Sequence, residues 1–191
     1  MSERVWDWNL IHKYGEFKES DLVLETGAMF STFSRSLIPY GCKITATDSW
    51  GWAGRDKMEQ TADAWVEQIT KDSSITVEQA DMQNLPYADK TFDKVVCISA
   101  IEHVDDDVLA LYEMMRVLKP EGLLLLTTEF NPDRAYRVDD PDGSFYRVYD
   151  KVGISTLLGT YTLQESRIAP FVKDFTTIFL VLRRTHNALV R

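Results

Sequence analysis

Short apolar runs alternate with segments of helical period along most of this chain, and that alternation restricts the fold more than any other feature. Leu22-Val23-Leu24, Cys42 to Thr47, Ser74 to Val77, Phe92 to Ile98 and Leu123 to Leu126 read as strands. Between them, Phe30, Phe33 and Leu37, then Met58, Ala62, Trp65, Val66 and Ile69, then Val108, Leu111, Tyr112, Met115 and Leu118 recur at helical spacing. Val95-Val96-Cys97-Ile98 is apolar without interruption, so both faces of that strand are expected to be buried. The pattern predicts a parallel sheet with helices on both sides. Pro39 and Gly41 stop the first helix, and Lys119-Pro120-Glu121-Gly122 reads as a turn before the fifth strand.

The flanking segments are less regular. Trp6, Leu10, Tyr14 and Phe17 fall near helical spacing, with Asp7, Asn9, Lys13 and Glu16 largely elsewhere, which predicts an N-terminal covering helix within residues 1–18. Residues 131–150 hold two prolines, a glycine and many charges besides Tyr136, Phe145, Tyr146 and Tyr149, and so read as a long loop of the functional kind. A short helix near 151–158 and two segments at about 161–169 and 175–183 follow. The short connection between those two predicts an antiparallel pair.

With 191 residues, 45% of them hydrophobic, the chain suits a single domain with a sizeable core. Its 21 Lys and Arg against 30 Asp and Glu leave a net charge of -9, which disfavours nucleic acid and anionic membrane as partners. Cys42 and Cys97 lie in apolar runs and read as small core residues rather than a disulfide framework. The start of the chain lacks a signal-peptide pattern and no apolar stretch approaches the roughly 18 residues of a membrane span, so a cytoplasmic protein is expected.

Ligands of open parallel sheets bind beyond the carboxyl ends of the strands. Glu25 and Gly27, Asp48, Asp81, and Ser99 to His103 stand at those ends. An acid closing the second strand is placed to accept hydrogen bonds from ribose hydroxyls. Val23-Leu24-Glu25-Thr26-Gly27-Ala28-Met29-Phe30-Ser31, Ile44-Thr45-Ala46-Thr47-Asp48, Ala80-Asp81-Met82-Gln83-Asn84-Leu85-Pro86-Tyr87, Phe92 to Cys97, Ile101-Glu102-His103-Val104 and Arg116 to Gly122 together resemble the successive motifs of class I S-adenosylmethionine-dependent methyltransferases, most of all the small type 11 domain. The resemblance implies a Rossmann-like, doubly wound sheet of seven strands in the order 3-2-1-4-5-7-6, mostly parallel with the last strand antiparallel. It also implies S-adenosyl-L-methionine as cofactor. Glu25, Gly27 and Ser99 would line its methionine part, Asp48 would hold the ribose, Asp81 with Met82 would meet the adenine, and Ala28 and Ser49 would also contact the cofactor.

The same resemblance exposes a departure. Where the family carries three alternate glycines, only Gly27 remains, followed by Met29 and Ser31. Met29 either fills part of the pocket and redirects the turn, or points into the core with ordinary dihedrals. A chain that uses the cofactor differently, or has lost it, is the competing expectation.

His103 is the candidate base, since an imidazole titrates near neutrality; its bland alternative is a helix cap or a contact within the first turn. Asp105-Asp106-Asp107 reads as the acidic first turn of a helix rather than a metal site, and no metal is expected. The Asn-Pro-Pro-aromatic pattern of amide methylation is absent after the fourth strand, where Ser99-Ala100-Ile101-Glu102 stands. A small-molecule acceptor with a hydroxyl or amine is therefore expected, met by Trp50, Trp52, Glu102 and Tyr146. Arg134, Arg137 and Arg147 either neutralise an anionic acceptor or pair with the interleaved aspartates. So few residues remain outside the sheet and its helices that either a small substrate or a homodimer completing the site is implied.

Overall fold

The computed structural model describes residues 3–29, 31–50, 63–71, 73–141, 143–170 and 174–185. Met58, Ala62, Trp52 and Phe30, singled out above, lie outside them. The chain runs α1 (Glu3–Tyr14), β1 (Leu22–Thr26), α2 (Phe33–Ser36), β2 (Lys43–Asp48), α3 (63–69), β3 (Ile75–Gln79), β4 (Phe92–Ile98), α4 (Asp107–Val117), β5 (Leu118–Phe130), β6 (Tyr136–Asp139), β7 (Phe145–Val148), α5 (Lys151–Leu158), β8 (Leu163–Ile168) and β9 (Thr176–Arg183).

Seven strands form one sheet in the order β3-β2-β1-β4-β5-β9-β8. The pairs from β3 through β5 are parallel, while β9 runs antiparallel to both β5 and β8. Once the separate β6–β7 pair is set aside, this is the expected order and polarity. Successive residues of the central strands serve opposite cores, as a pleated strand covered on both sides requires. Leu24, Val95, Cys97, Leu124, Leu126 and Leu180 pack with Leu111, Met114 and Met115 of α4 and Leu157 of α5. Val23, Val96, Leu125 and Phe179 pack with Ile11 of α1, Phe33 of α2 and Trp65 and Ile69 of α3. Among the described residues no helix is long and apolar enough to cross a membrane.

Three local expectations are corrected. The segment 131–150 is no plain loop: Tyr136–Asp139 and Phe145–Val148 pair antiparallel as a two-stranded hairpin. Lys119 to Gly122 is no turn between separate elements, because α4 passes directly into β5 and the register slips by a bulge between the Phe92–Leu118 and Lys94–Leu123 pairs. Among the described side chains of α1 the deepest are Ile11 and Asp7, one helical turn apart, while Trp6, Leu10 and Tyr14 are only half-buried. The polar Asp7 thus lies on the buried face.

The junction of α4 and β5 has no glycine cap. Arg184, 4% exposed, instead donates from Nη1 to the carbonyls of Arg116 (2.6 Å) and Leu118. A guanidinium at a helix C-terminus satisfies orphan carbonyls and complements the helix dipole. R184A is expected to lower the unfolding free energy by about 1–3 kcal/mol. An unchanged denaturation midpoint and slope would remove the capping role.

Candidate active site at the carboxyl edge of the sheet

β1, β2, β3 and β4 release their chains on one edge, and each places a polar group there. Beyond β1, Gly27 turns with φ +68°, and a Cβ built on it would stand 2.3 Å from Ala100 Cβ and 3.1 Å from Met82 Cε. Only glycine combines that dihedral with that close approach. The same contacts show that the ends of β1, β3 and β4 converge on one point.

Glu25 does not face this cleft. It is 1% exposed, with Oε1 accepting from Ser31 Oγ (2.6 Å) and Oε2 accepting from Ser34 N (3.0 Å) and Ser34 Oγ. Burial raises its pKa, and the bonds from Ser31 and Ser34 oppose the rise. In this structure its carboxylate fastens the loop after β1 to α2. Ala28, likewise expected at the cofactor, is fully buried and donates its N–H to Thr47 O at 2.9 Å.

Asp48, half-buried at the end of β2, accepts from Met29 N (3.2 Å) and Trp50 N (3.0 Å), one on each oxygen. Burial pushes its pKa up and those amides restrain it. A carboxylate offers about four acceptor positions, so two amides fix its orientation and leave capacity for a diol. Ser49 is exposed. Trp50 carries the strained φ of +59° and sets its indole edge-on to Trp65 at 5.8 Å. After β3, Asp81 is exposed and turns onto Gln83 N (2.8 Å), while Met82 is buried against Gly27. After β4, Ser99 has φ +45° and donates its N–H to Thr127. An oriented acid, a close-approach glycine and an apolar Met82 wall fit the ribose, backbone and adenine face of the expected cofactor.

The acceptor-side residues follow in a short 3-10 turn, Ile101–His103. Glu102 is fully buried; Oε2 accepts from Thr128 Oγ1 (2.9 Å), and Oε1 has no hydrogen-bond partner among the described residues. Burial first, then the charges of Glu129 and Asp7, pushes its pKa up to about 8. His103 Nδ1 lies 2.8 Å from the carbonyl oxygen of Phe145 in β7. A carbonyl can only accept, so Nδ1 carries the hydrogen and, in the neutral ring, Nε2 carries the lone pair. Tyr146 and Phe175 extend the row of half-buried rings beside it, with centroids 6.2 Å from His103 to Tyr146 and 6.0 Å from Tyr146 to Phe175.

Arg147 ties this hairpin to the turn by donating to the carbonyls of Glu102 (3.5 Å), Val104 and Asp105 (2.8 Å). Arg137 pairs with Asp139 at 2.6 Å, and Arg134 lies over the Tyr136 ring. Of the three, only Arg137 pairs with an interleaved aspartate, while Arg134 meets an aromatic ring and Arg147 backbone carbonyls. Asp106 caps α4 by accepting from Leu109 N at 2.8 Å, the helix-start reading of the aspartate run. Trp52 lies outside the described residues. Phe175, Thr128 and Ser34, and the bond that Ser31 makes to Glu25, are not legible in the sequence, because each acquires its place only through tertiary contact.

A family model described as methyltransferase domain matches residues 24–126. The ubiquinone/menaquinone biosynthesis C-methyltransferase of Saccharophagus degradans is 33% identical over 137 residues, covering 69% of this chain and 52% of that protein. This chain thus spans about half the length of such a curated relative. Among solved structures, the 1,6-didemethyltoxoflavin-N1-methyltransferase of Burkholderia thailandensis, with S-adenosylhomocysteine bound, superposes with a TM-score of 0.72 at 17% identity, covering 94% of this chain and 76% of that one. The [4+2]-cyclase SpnF superposes with a TM-score of 0.76 at 14% identity, covering 96% and 80%. At those identities the likeness is one of fold alone.

Proposed function

The chain belongs to the methyltransferase domain family of S-adenosylmethionine-dependent enzymes, and we propose that it transfers a methyl group to a small-molecule acceptor held beside the turn after β4. The observation that carries this reading is the placement of His103, its Nδ1 committed to Phe145 O and the ring set against Tyr146. The cofactor, when bound, supplies an electrophilic methyl on a cationic sulfonium. Asp48 would hold the ribose hydroxyls, Asp81 the adenine amino group and Met82 one face of the ring. His103 Nε2 would take the proton of a hydroxyl or amine acceptor, and Tyr146 would orient that acceptor. Aligning two reactants supplies most of the acceleration in a direct displacement, so a rigid wall matters as much as the base. The net charge of -9 supports a small-molecule partner over nucleic acid.

A ring-carbon acceptor is the second reading. The Saccharophagus relative is named for C-methylation in quinone biosynthesis, and the row His103, Tyr146, Phe175 offers a planar ring flat or edge-on partners.

Titration calorimetry with S-adenosylmethionine and S-adenosylhomocysteine tests the cofactor half. D48A is expected to weaken binding at least about tenfold, or about 1.4 kcal/mol. Equal affinity would end the ribose assignment, and no heat with either ligand in folded wild-type chain would end the methyltransferase reading. Binding without transfer of label from methyl-labelled cofactor to a panel of phenols, quinols and amines would favour altered use of the fold.

A further inference from the structure

Positions 29 and 31 carry Met and Ser where the family pattern has glycines, yet neither takes the left-handed φ that would demand one. What holds the loop instead is visible at Ser31. Its Oγ donates to Glu25 Oε1 at 2.6 Å and accepts from Phe33 N at 3.0 Å. Its N–H donates to Ala28 O at 2.8 Å, and its carbonyl accepts from Trp65 Nε1 at 2.7 Å. Two residues earlier, Met29 N bonds Asp48 Oδ2, so the loop's position and that of the Asp48 carboxylate are linked.

We propose that Ser31 is a positioning residue for cofactor binding: with Glu25 and Trp65 it locks the loop after β1, from Gly27 to Met29 and at Ser31 and Thr32, in the receiving shape, doing by side-chain bonds what the absent glycines do elsewhere by backbone freedom. The proposal rests on the cofactor reading above. A glycine at 31 removes both Oγ bonds and leaves an oxygen of the buried Glu25 without a donor. It also widens the range of loop conformations that must be narrowed before a ligand binds. Regaining the family's glycine therefore harms this chain, the opposite of what a merely degenerate motif predicts.

The test is calorimetric titration of S-adenosylhomocysteine into wild type, S31G, S31A, S31T and W65F, with a thermal melt of each ligand-free protein. S31G and S31A are expected to bind about tenfold more weakly, S31T to keep wild-type affinity through its hydroxyl, and W65F, which loses the indole N–H together with part of the ring packed against Trp50, to bind severalfold more weakly. S31G binding as tightly as wild type or more tightly overturns the proposal while leaving the cofactor reading intact. Wild type that binds no S-adenosylhomocysteine overturns the cofactor reading and this proposal with it. If S31G melts below the assay temperature, S31A against S31T decides: equal affinities overturn the lock, and weaker binding by S31A alone supports it.

Discussion

An H103N variant is expected to bind S-adenosylhomocysteine as tightly as the parent chain and to transfer methyl groups at least about 100-fold more slowly, the usual worth of a positioned general base. Asparagine carries its amide nitrogen on the same carbon as the imidazole Nδ1, so the bond to Phe145 O, 2.8 Å in the parent, has a donor in the variant too. What the variant lacks is the lone pair of Nε2. The melting temperature is therefore expected to hold, whereas a histidine that merely pins the hairpin would give a variant with normal turnover. Retained transfer to a hydroxyl acceptor identified in the labelled panel would reject His103 as base.

The sheet was legible because burial on two faces writes itself into consecutive residues: Val95-Val96-Cys97 can be read as a covered strand without any tertiary knowledge, and the cores on its two sides divide those residues as expected. The strand ends were legible for the same reason, since a polar residue that stops an apolar run marks where the chain leaves the sheet. The hairpin was not, because each of its strands is four residues long and its turn chemistry also fits an unpaired loop. Its docking depends on Arg147 reaching backbone carbonyls some 40 residues away in sequence, which no local pattern encodes. Glu25 shows the same limit at one residue: its position after β1 was readable, but whether its carboxylate turns to a ligand or to Ser31 and Ser34 is decided by the path of the loop. Asp7 was misplaced because helical spacing alone does not tell which face of a weakly amphipathic helix meets the sheet.

Substituting Glu102 by Gln is expected to flatten the pH dependence of stability and make the protein more stable than wild type above neutrality. The folded pKa of Glu102 is pushed up to about 8 from the 4.5 of an unperturbed glutamate, chiefly by burial and then by Glu129 and Asp7. Below the unfolded value both states hold the proton and its full contribution is present. Between there and about 8 the native state binds more protons than the unfolded chain, so stability is lost as pH rises, at up to about 1.4 kcal/mol per pH unit. Glutamine is neutral throughout and nearly isosteric, and its carbonyl keeps the bond from Thr128 Oγ1. Chemical denaturation of wild type and E102Q at pH 5 and pH 8 should show curves that lie close at the lower pH and separate by a few kcal/mol at the higher. Parallel profiles would mean that Glu102 is ionised in the fold. The same proton separates the roles of two adjacent residues. A carboxyl that keeps its proton at neutral pH can donate a hydrogen bond but cannot act as the base, and since Thr128 serves Oε2, the proton belongs on Oε1, the oxygen without a partner among the described residues. On the proposed reading, base chemistry after β4 would then fall to His103, with Glu102 a buried neutral carboxyl bonded to Thr128.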